Sequence, residues 1–345
     1  MTSPHGSAAT PDLFETPTTP EPRRLRPAGV APADVAPELH ALATRLSPLV
    51  HLGTSSWSFP GWRGLVFDAE YSPARLARHG LGAYAAHPLL RTVSLDRSFY
   101  RALPATEYAA LAAQVPPGFR FVVKAAASVT DAVVREPGSG RPAQPNPLFL
   151  DPAAALAEVL QPVAEGLGER LGALVFQLSP LPRAWLAEPQ RLLGALDRLF
   201  GQLPRPPHGV LALELRDAAL LTSELATLLK AQGVRWCLGL HDRMPPIDDQ
   251  LSMLRATWPG PLVCRWNLQR GLAYGEAKDR FEPFDRLQAP DPATREVLAK
   301  VIAATAAAGH HALVTVNNKA EGSAPRSVFA LAEAVARHAA ASAGR

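Results

Sequence analysis

Side chains able to move protons or hold anions recur at the ends of apolar runs in this chain. Lys124 closes FRFVVKA (119–125), and Glu214 lies inside GVLALELRD (209–217) with Arg216 two residues on. Arg265 and Asn267 belong to PLVCRWNL (261–268), while HALVTVNNK (311–319) ends in Asn317, Asn318 and Lys319, with Glu321 beyond. A lysine in an apolar wall loses affinity for its proton, as a general base or an imine-forming amine requires. A carboxylate flanked by Leu213 and Leu215 needs a cationic partner if buried, and that partner could be Lys124 itself in a structural ion pair. Lys124 and Glu214 are therefore the candidate acid–base groups. Arg216, Arg265 and Lys319 form a candidate anion-holding set, because guanidinium forks match carboxylate and phosphate. Asn267, Asn317, Asn318 and Glu321 are candidate substrate contacts, and Trp57 and Tyr100 offer flat surfaces for a sugar or base.

Eight apolar, β-branched runs must position these groups. They are VHLGTS (50–55), RTVSLD (91–96), FRFVVKA, GALVFQLS (172–179), GVLALELRD, RWCLGLHD (235–242), PLVCRWNL and HALVTVNNK. Near-continuous apolarity is the mark of parallel strands covered on both faces. Helical spacing of apolar residues separates them at 73–86, 105–115, 151–167, 189–203, 220–233, 292–309 and 325–341, several segments opening on proline and closing on glycine. The fold expected is α/β, a single-domain (β/α)8 barrel of the TIM type over 46–340. An open doubly wound sheet is the competing architecture, but no Gly-rich phosphate turn follows any strand. In a barrel, strand C-termini face one mouth, so all eight runs deliver their polar ends to one place.

The segments outside this alternation carry their own expectations. Residues 1–45 hold eight prolines before residue 40 and read as a disordered tail. Residues 126–150 are long and rich in Pro and Gly, which suggests a loop on the catalytic side with the character of a lid. The chain is 47% hydrophobic with formal charge +4, and its arginines are dispersed without a basic run. That balance suits a small anionic ligand, does not favour nucleic acid, and gives no membrane span or signal peptide, so a soluble cytoplasmic protein is expected. Cys237 and Cys264 lie inside apolar runs and should be buried free thiols. His310 and His311 precede the last strand and belong to the opposite end.

GTSSWSFPGWRG (53–64), SFYR (98–101), FRFVVKA, LELRD (213–217) and VNNKAEGSAP (316–325) together resemble the YecE-like family, domain of unknown function seventy-two. The resemblance runs from about residue 50 to about residue 335, and implies a TIM-type barrel with these motifs at one mouth. It implies no reaction. The strand-two segment VSLDRSFYR departs from the family's VEINSTFYR, placing Ser94 at the acidic position and Asp96 at the amide, and LVCRWN keeps only Arg265 of the strand-seven pattern YVRLHG.

These readings converge on an enzyme of hydrolase, lyase or isomerase type acting on a small anionic, sugar-like or phosphorylated substrate, with no cofactor. One alternative is a metal-dependent phosphodiesterase or nuclease using Asp96, Glu214, Asp242 and Glu321 on a divalent ion. Another is a non-catalytic binding or scaffold protein.

Overall fold

The computed structural model of the chain describes residues 29–136 and 141–343. Its centre is a closed barrel of eight parallel strands, adjacent in chain order: β1 (Val50–Thr54), β2 (Thr92–Leu95), β3 (Arg120–Lys124), β4 (Leu171–Gln177), β5 (Val210–Glu214), β6 (Arg235–Leu240), β7 (Leu262–Trp266) and β8 (Ala312–Val316). Closure is made by β1 on β8, where Val50 to Thr54 run in register with Ala312 to Val316. All eight expected strands form, and the open-sheet alternative falls because no edge is left.

Residue parity explains why the runs lack alternation. One set of side chains, including Val122, Ala173, Val175, Ala212, Cys237, Val263 and Leu313, packs into the lumen, and the other meets the surrounding helices. Lumen positions are small where strands come close. A Cβ on Gly53 would fall 1.8 Å from the Thr92 carbonyl oxygen, so no larger residue fits. The outer helices follow their sequence patterns. Pro189–Gln202 buries Leu192, Ala195, Leu196, Leu199 and Phe200, one face at helical spacing. The segment expected as a single helix over 151–167 contains a π turn at Leu156–Leu160, just before Pro162, which lacks the N–H for an ordinary helical bond. Both cysteines are buried and free.

Two expectations need correction. The disordered tail expected over 1–45 does not extend through its last residues: residues 1–28 lie outside the described residues, but Pro37–Thr44 is a helix that buries Leu42 and Ala43 and packs against the terminal helix Ala324–Ala343. Arg91 clamps it, donating to the carbonyls of Ala43 at 2.8 Å and Ser47 at 3.3 Å. Proline content misled here, because Pro37 starts a helix rather than preventing one. Within 126–150, the described residues also form more regular structure than the long loop expected. They contain a short helix (Ala127–Thr130) and an antiparallel pair (Val133–Arg135 with Pro142–Pro145), pinned by Asn146 donating to the carbonyls of Ser128 and Asp131 at 2.8 and 2.7 Å. Ser128 Oγ donates to Glu158 at 2.8 Å and Arg135 Nε to Asp131 at 2.7 Å, contacts that lie away from the mouth.

Leu42 is 6% exposed and part of the core. Leu42→Ala should therefore cost about 2–3 kcal/mol in denaturant unfolding, as for other buried leucines. An effect within about 0.5 kcal/mol, typical of surface sites, would show that the helix is not docked.

Candidate functional site

The lumen parity that places Val122, Ala212 and Val263 inside also sends Lys124, Glu214 and Arg265 inward one step higher, at the C-terminal mouth. Glu214 is wholly buried and is the centre of the site. One oxygen, Oε1, accepts from Arg216 Nη2 at 2.7 Å, and the other, Oε2, from Arg265 Nη1 at 2.6 Å. Arg265 then reaches across the barrel and donates through Nη2 to Asp96 Oδ1 at 2.8 Å, an oxygen that also accepts from Ser94 Oγ at 2.7 Å. Two of the positions that depart from the strand-two pattern, Ser94 and Asp96, thus engage the far end of Arg265, Asp96 directly and Ser94 through Asp96. Gly239 makes room for the cluster, since a Cβ there would sit 3.3 Å from the Glu214 carboxylate.

Burial works to raise the Glu214 pKa, but Arg216 and Arg265 outweigh it and keep the carboxyl below its usual range. A fully enclosed carboxylate whose ionised form is favoured by two guanidiniums is a poor proton donor or acceptor. Both oxygens of Glu214 are held by guanidiniums, a setting that suits positioning Arg216 and Arg265 better than the acid–base role expected of it. Arg265 is corrected too: it is 3% exposed, and its two terminal nitrogens already face carboxylates. Arg216 keeps a spare donor, because its buried Nη1 has no partner among the described residues. Asn267 Nδ2 lies 3.5 Å from Glu214 Oε1, at the limit of a hydrogen bond.

Lys124 stands apart from this network. The alternative of a Lys124–Glu214 ion pair does not form: no carboxylate bridges Lys124 among the described residues, and its Nζ lies 3.3 Å above the centre of the Phe99 ring. Burial lowers its pKa to about 7, helped by the charge of Arg265, against partial opposition from Asp96 and Glu214. Phe99 was not singled out from the sequence, although it lies inside the SFYR motif; its role needs the turn after β2 to fold back over β3, where Ser98 Oγ donates to the Lys124 carbonyl at 2.7 Å.

On the other side of the mouth the NNK segment divides by parity. Asn317 turns to the site: its Nδ2 donates to Ser55 Oγ at 2.7 Å, and its Oδ1 accepts from Lys319 N at 3.0 Å and Nζ at 3.2 Å. With its amide so occupied, Asn317 orients Lys319 rather than a substrate hydroxyl. Lys319 Nζ also lies 4.2 Å over Tyr274, and burial with the nearby Lys278 charge lowers its pKa to about 8. Tyr100 and Tyr274 are 84% and 62% exposed on the rim. Tyr274 escaped the sequence reading because GLAYGEAKD has no strand-like signal.

Three expected contacts point elsewhere. Asn318 Oδ1 accepts from Trp62 Nε1 at 3.2 Å and Ala324 N at 2.8 Å, bracing the turn behind the strand. Glu321 is buried, pairs with Arg295 and accepts from Asp291 N at 2.7 Å. Trp57 packs in the core with its indole N–H on the Leu76 carbonyl at 3.0 Å. Each carries a polar atom that a buried backbone or charge needed, which a strand-end pattern cannot distinguish from a ligand contact. The four carboxylates of the nuclease alternative do not meet. Glu321 faces Arg295, Glu214 lies between guanidiniums, and Asp242 contacts His241, whose pKa is lowered by burial and Arg216. Among the described residues, no group of three or more His, Cys, Asp or Glu side chains is placed to hold a metal ion. No helix among the described residues is long and apolar enough to cross a membrane. A cleft of about 390 Å³ opens at the opposite end, lined by Arg120, Glu169, His208 and His311, and so His311 lies at that end as expected.

A family model described as Protein of unknown function DUF72 matches residues 51–344. Among solved structures, the chain is similar to a DUF72 family protein from Thermotoga maritima, with 19% identity, a TM-score of 0.57, and coverage of 82% of this chain and 98% of that one. It is also similar to a DUF72 family protein from Enterococcus faecalis, at 17% identity and TM-score 0.56, covering 83% of this chain and 95% of that one. At such identities the likeness shows the fold alone. No curated protein matches the chain.

Two substitutions probe these assignments. Arg265→Met should destabilise by about 3–5 kcal/mol, because it leaves Glu214 buried and half-paired; Glu214→Gln in the same chain should recover part of that loss, whereas simple additivity of the two changes would contradict the pairing. Lys124→Met should stabilise. Below pH 7 both folded and unfolded chains carry the ammonium and the folded one bears its full burial penalty, which fades as pH rises from about 7 toward the ordinary lysine value. The gain in denaturant unfolding should be on the order of 1–3 kcal/mol at pH 6 and vanish by about pH 10. A loss of stability at pH 6 would mean that Lys124 has a compensating partner.

Proposed function

The chain belongs to the DUF72 family of proteins of unknown function, and from that premise we propose that it is an enzyme transferring protons on a small anionic, sugar-like or phosphorylated compound at the C-terminal mouth of the barrel. The reaction is of the hydrolase, lyase or isomerase kind. One observation carries this reading: Lys124, at the end of an inner strand position, is an amine with pKa near 7 and no ion-pair partner among the described residues. A group whose pKa matches working pH is the most effective acid–base catalyst, and burying an amine without a counter-ion has no structural benefit.

The neighbouring residues suit the rest of the task. Lys319 supplies a positive charge, and the unpartnered Nη1 of Arg216 supplies a donor for a carboxylate or phosphate oxygen. Asn267, half-buried with only a long contact to Glu214, can turn its amide to a hydroxyl. Tyr100 and Tyr274 give the rim two exposed aromatic faces for a sugar ring. Arg265, locked between Glu214 and Asp96, keeps positive potential beside Lys124 and adds to burial in lowering the pKa of its amine.

Thermal-shift and calorimetric titration against inorganic phosphate, sugar phosphates, sugar acids and neutral sugars should show binding of the anions alone. Affinity should fall as pH rises through about 8, where Lys319 loses its charge. Lys319→Met should weaken anion binding about tenfold, since a charge-assisted contact contributes about 1.5–3 kcal/mol. Indifference of the protein to every anion in the set at millimolar concentration would overturn the reading.

A further inference from the structure

Only five of the chain's 35 basic residues are lysines, at positions 124, 230, 278, 300 and 319. Wherever the fold needs a fixed positive charge, as against Glu214, Asp96 and Glu321, it uses arginine. Two of the five lysines nonetheless lie at the mouth. Arginine cannot become a nucleophile at neutral pH, whereas an amine can. The two mouth lysines are also held differently. Lys319 Nζ is tied to Asn317 Oδ1 and rests on Tyr274, the setting of a charge that stays put. Lys124 Nζ has no hydrogen-bond partner among the described residues, rests on the face of Phe99, and is half-buried, so that it can be reached from the mouth.

We propose that the compounds bound at this mouth are anionic carbonyl compounds, aldehydes or ketones bearing phosphate or carboxylate, and that Lys124 forms a covalent imine with them. This rests on the reading of the mouth as an anion-accepting active site. The Lys124 nitrogen attacks the carbonyl carbon, a C–N bond forms, and the carbonyl π electrons move to oxygen, which gains the proton that nitrogen loses. The nitrogen lone pair then expels the hydroxyl group, the C–O bond breaks, and the hydroxyl departs as water with one proton taken from the site. The product is a protonated imine, balanced by one proton in and one water out. Asp96 is placed to relay the protons. Arg265 and Ser94 share its Oδ1, no donor among the described residues reaches Oδ2, and its charge acts directly on Lys124. The cationic imine acidifies the neighbouring C–H bond and weakens the next C–C bond, which selects lyase or isomerase chemistry over hydrolysis. Its depressed pKa keeps Lys124 nucleophilic at neutral pH, in support of the same step.

Reductive trapping tests this on the full chain. The protein is incubated at pH 7.5 with dihydroxyacetone phosphate, with pyruvate or with uncharged acetone, then treated with sodium borohydride, and the intact mass and peptide map are read. The expected result is one adduct per chain with an anionic probe, on Lys124 and more than about tenfold above the exposed Lys230 and Lys300, as its lower pKa requires. Acetone should label far less. Lys319→Met should lower the yield while leaving Lys124 as the labelled residue, and Lys124→Arg should abolish it. Uniform labelling of all lysines, or no adduct with either anionic probe, overturns the imine. If the anionic probes raise the melting temperature but leave no adduct, the covalent step fails while the anion-accepting mouth stands. If they neither bind nor label, both readings fail.

Discussion

The upper half of the barrel depends on keeping one carboxylate ionised without water. Glu214 has no exposure, and an isolated charge in such a place would be neutralised or would unfold the protein. Two guanidiniums prevent both outcomes, one from its own strand end and one from β7. Because Arg265 also grips Asp96 after β2, a single charge network ties β5, β7 and β2 across the lumen. Its net effect on the mouth is asymmetric. Both Glu214 oxygens and one Asp96 oxygen are engaged by guanidiniums, while Arg216 retains an unused donor and burial, with Arg265 beside it, lowers the Lys124 pKa.

A second constraint holds the rim in place. The GTSSWSFPGW and NNKAEGSAP segments meet because β1 and β8 close the barrel, and Trp62 to Asn318 and Ser55 to Asn317 fasten them. The segment after β7 is stitched to the same turn through the Glu321 carbonyl, which accepts from Gln288 N at 2.8 Å and Ala289 N at 3.1 Å. Gly61 allows that segment close, since a Cβ there would meet the Pro283 carbonyl oxygen at 1.8 Å. Lys319 and Tyr274 are neighbours as a result, although 45 residues separate them. Long, irregular motifs are what such interlocking loops require, because each residue answers to a different neighbour.

Much of the site was legible because strand parity and strand ends are local properties. The split of Asn317 from Asn318, and the convergence of Lys124, Glu214, Arg216 and Arg265 on one mouth, follow from two-residue alternation and from the rule that a barrel's strands end together. What alternation could not reveal was occupancy. Glu214 and Arg265 looked like a catalyst and an anion clamp, and each is already engaged by the other. Trp57 and Glu321 looked available and are consumed by Leu76 and Arg295.

The sequence by itself determined the barrel, its strand boundaries and the set of polar residues at its mouth, since these rest on apolar periodicity and on the length of each β/α unit. Only the tertiary structure decided which of those residues are free to act. Freedom depends on partners distant in the chain: Lys124 is left unpaired because Arg265, 141 positions away, takes the carboxylates on both sides of it. Hydrogen-bond satisfaction and desolvation are properties of the folded neighbourhood, and no local pattern encodes them.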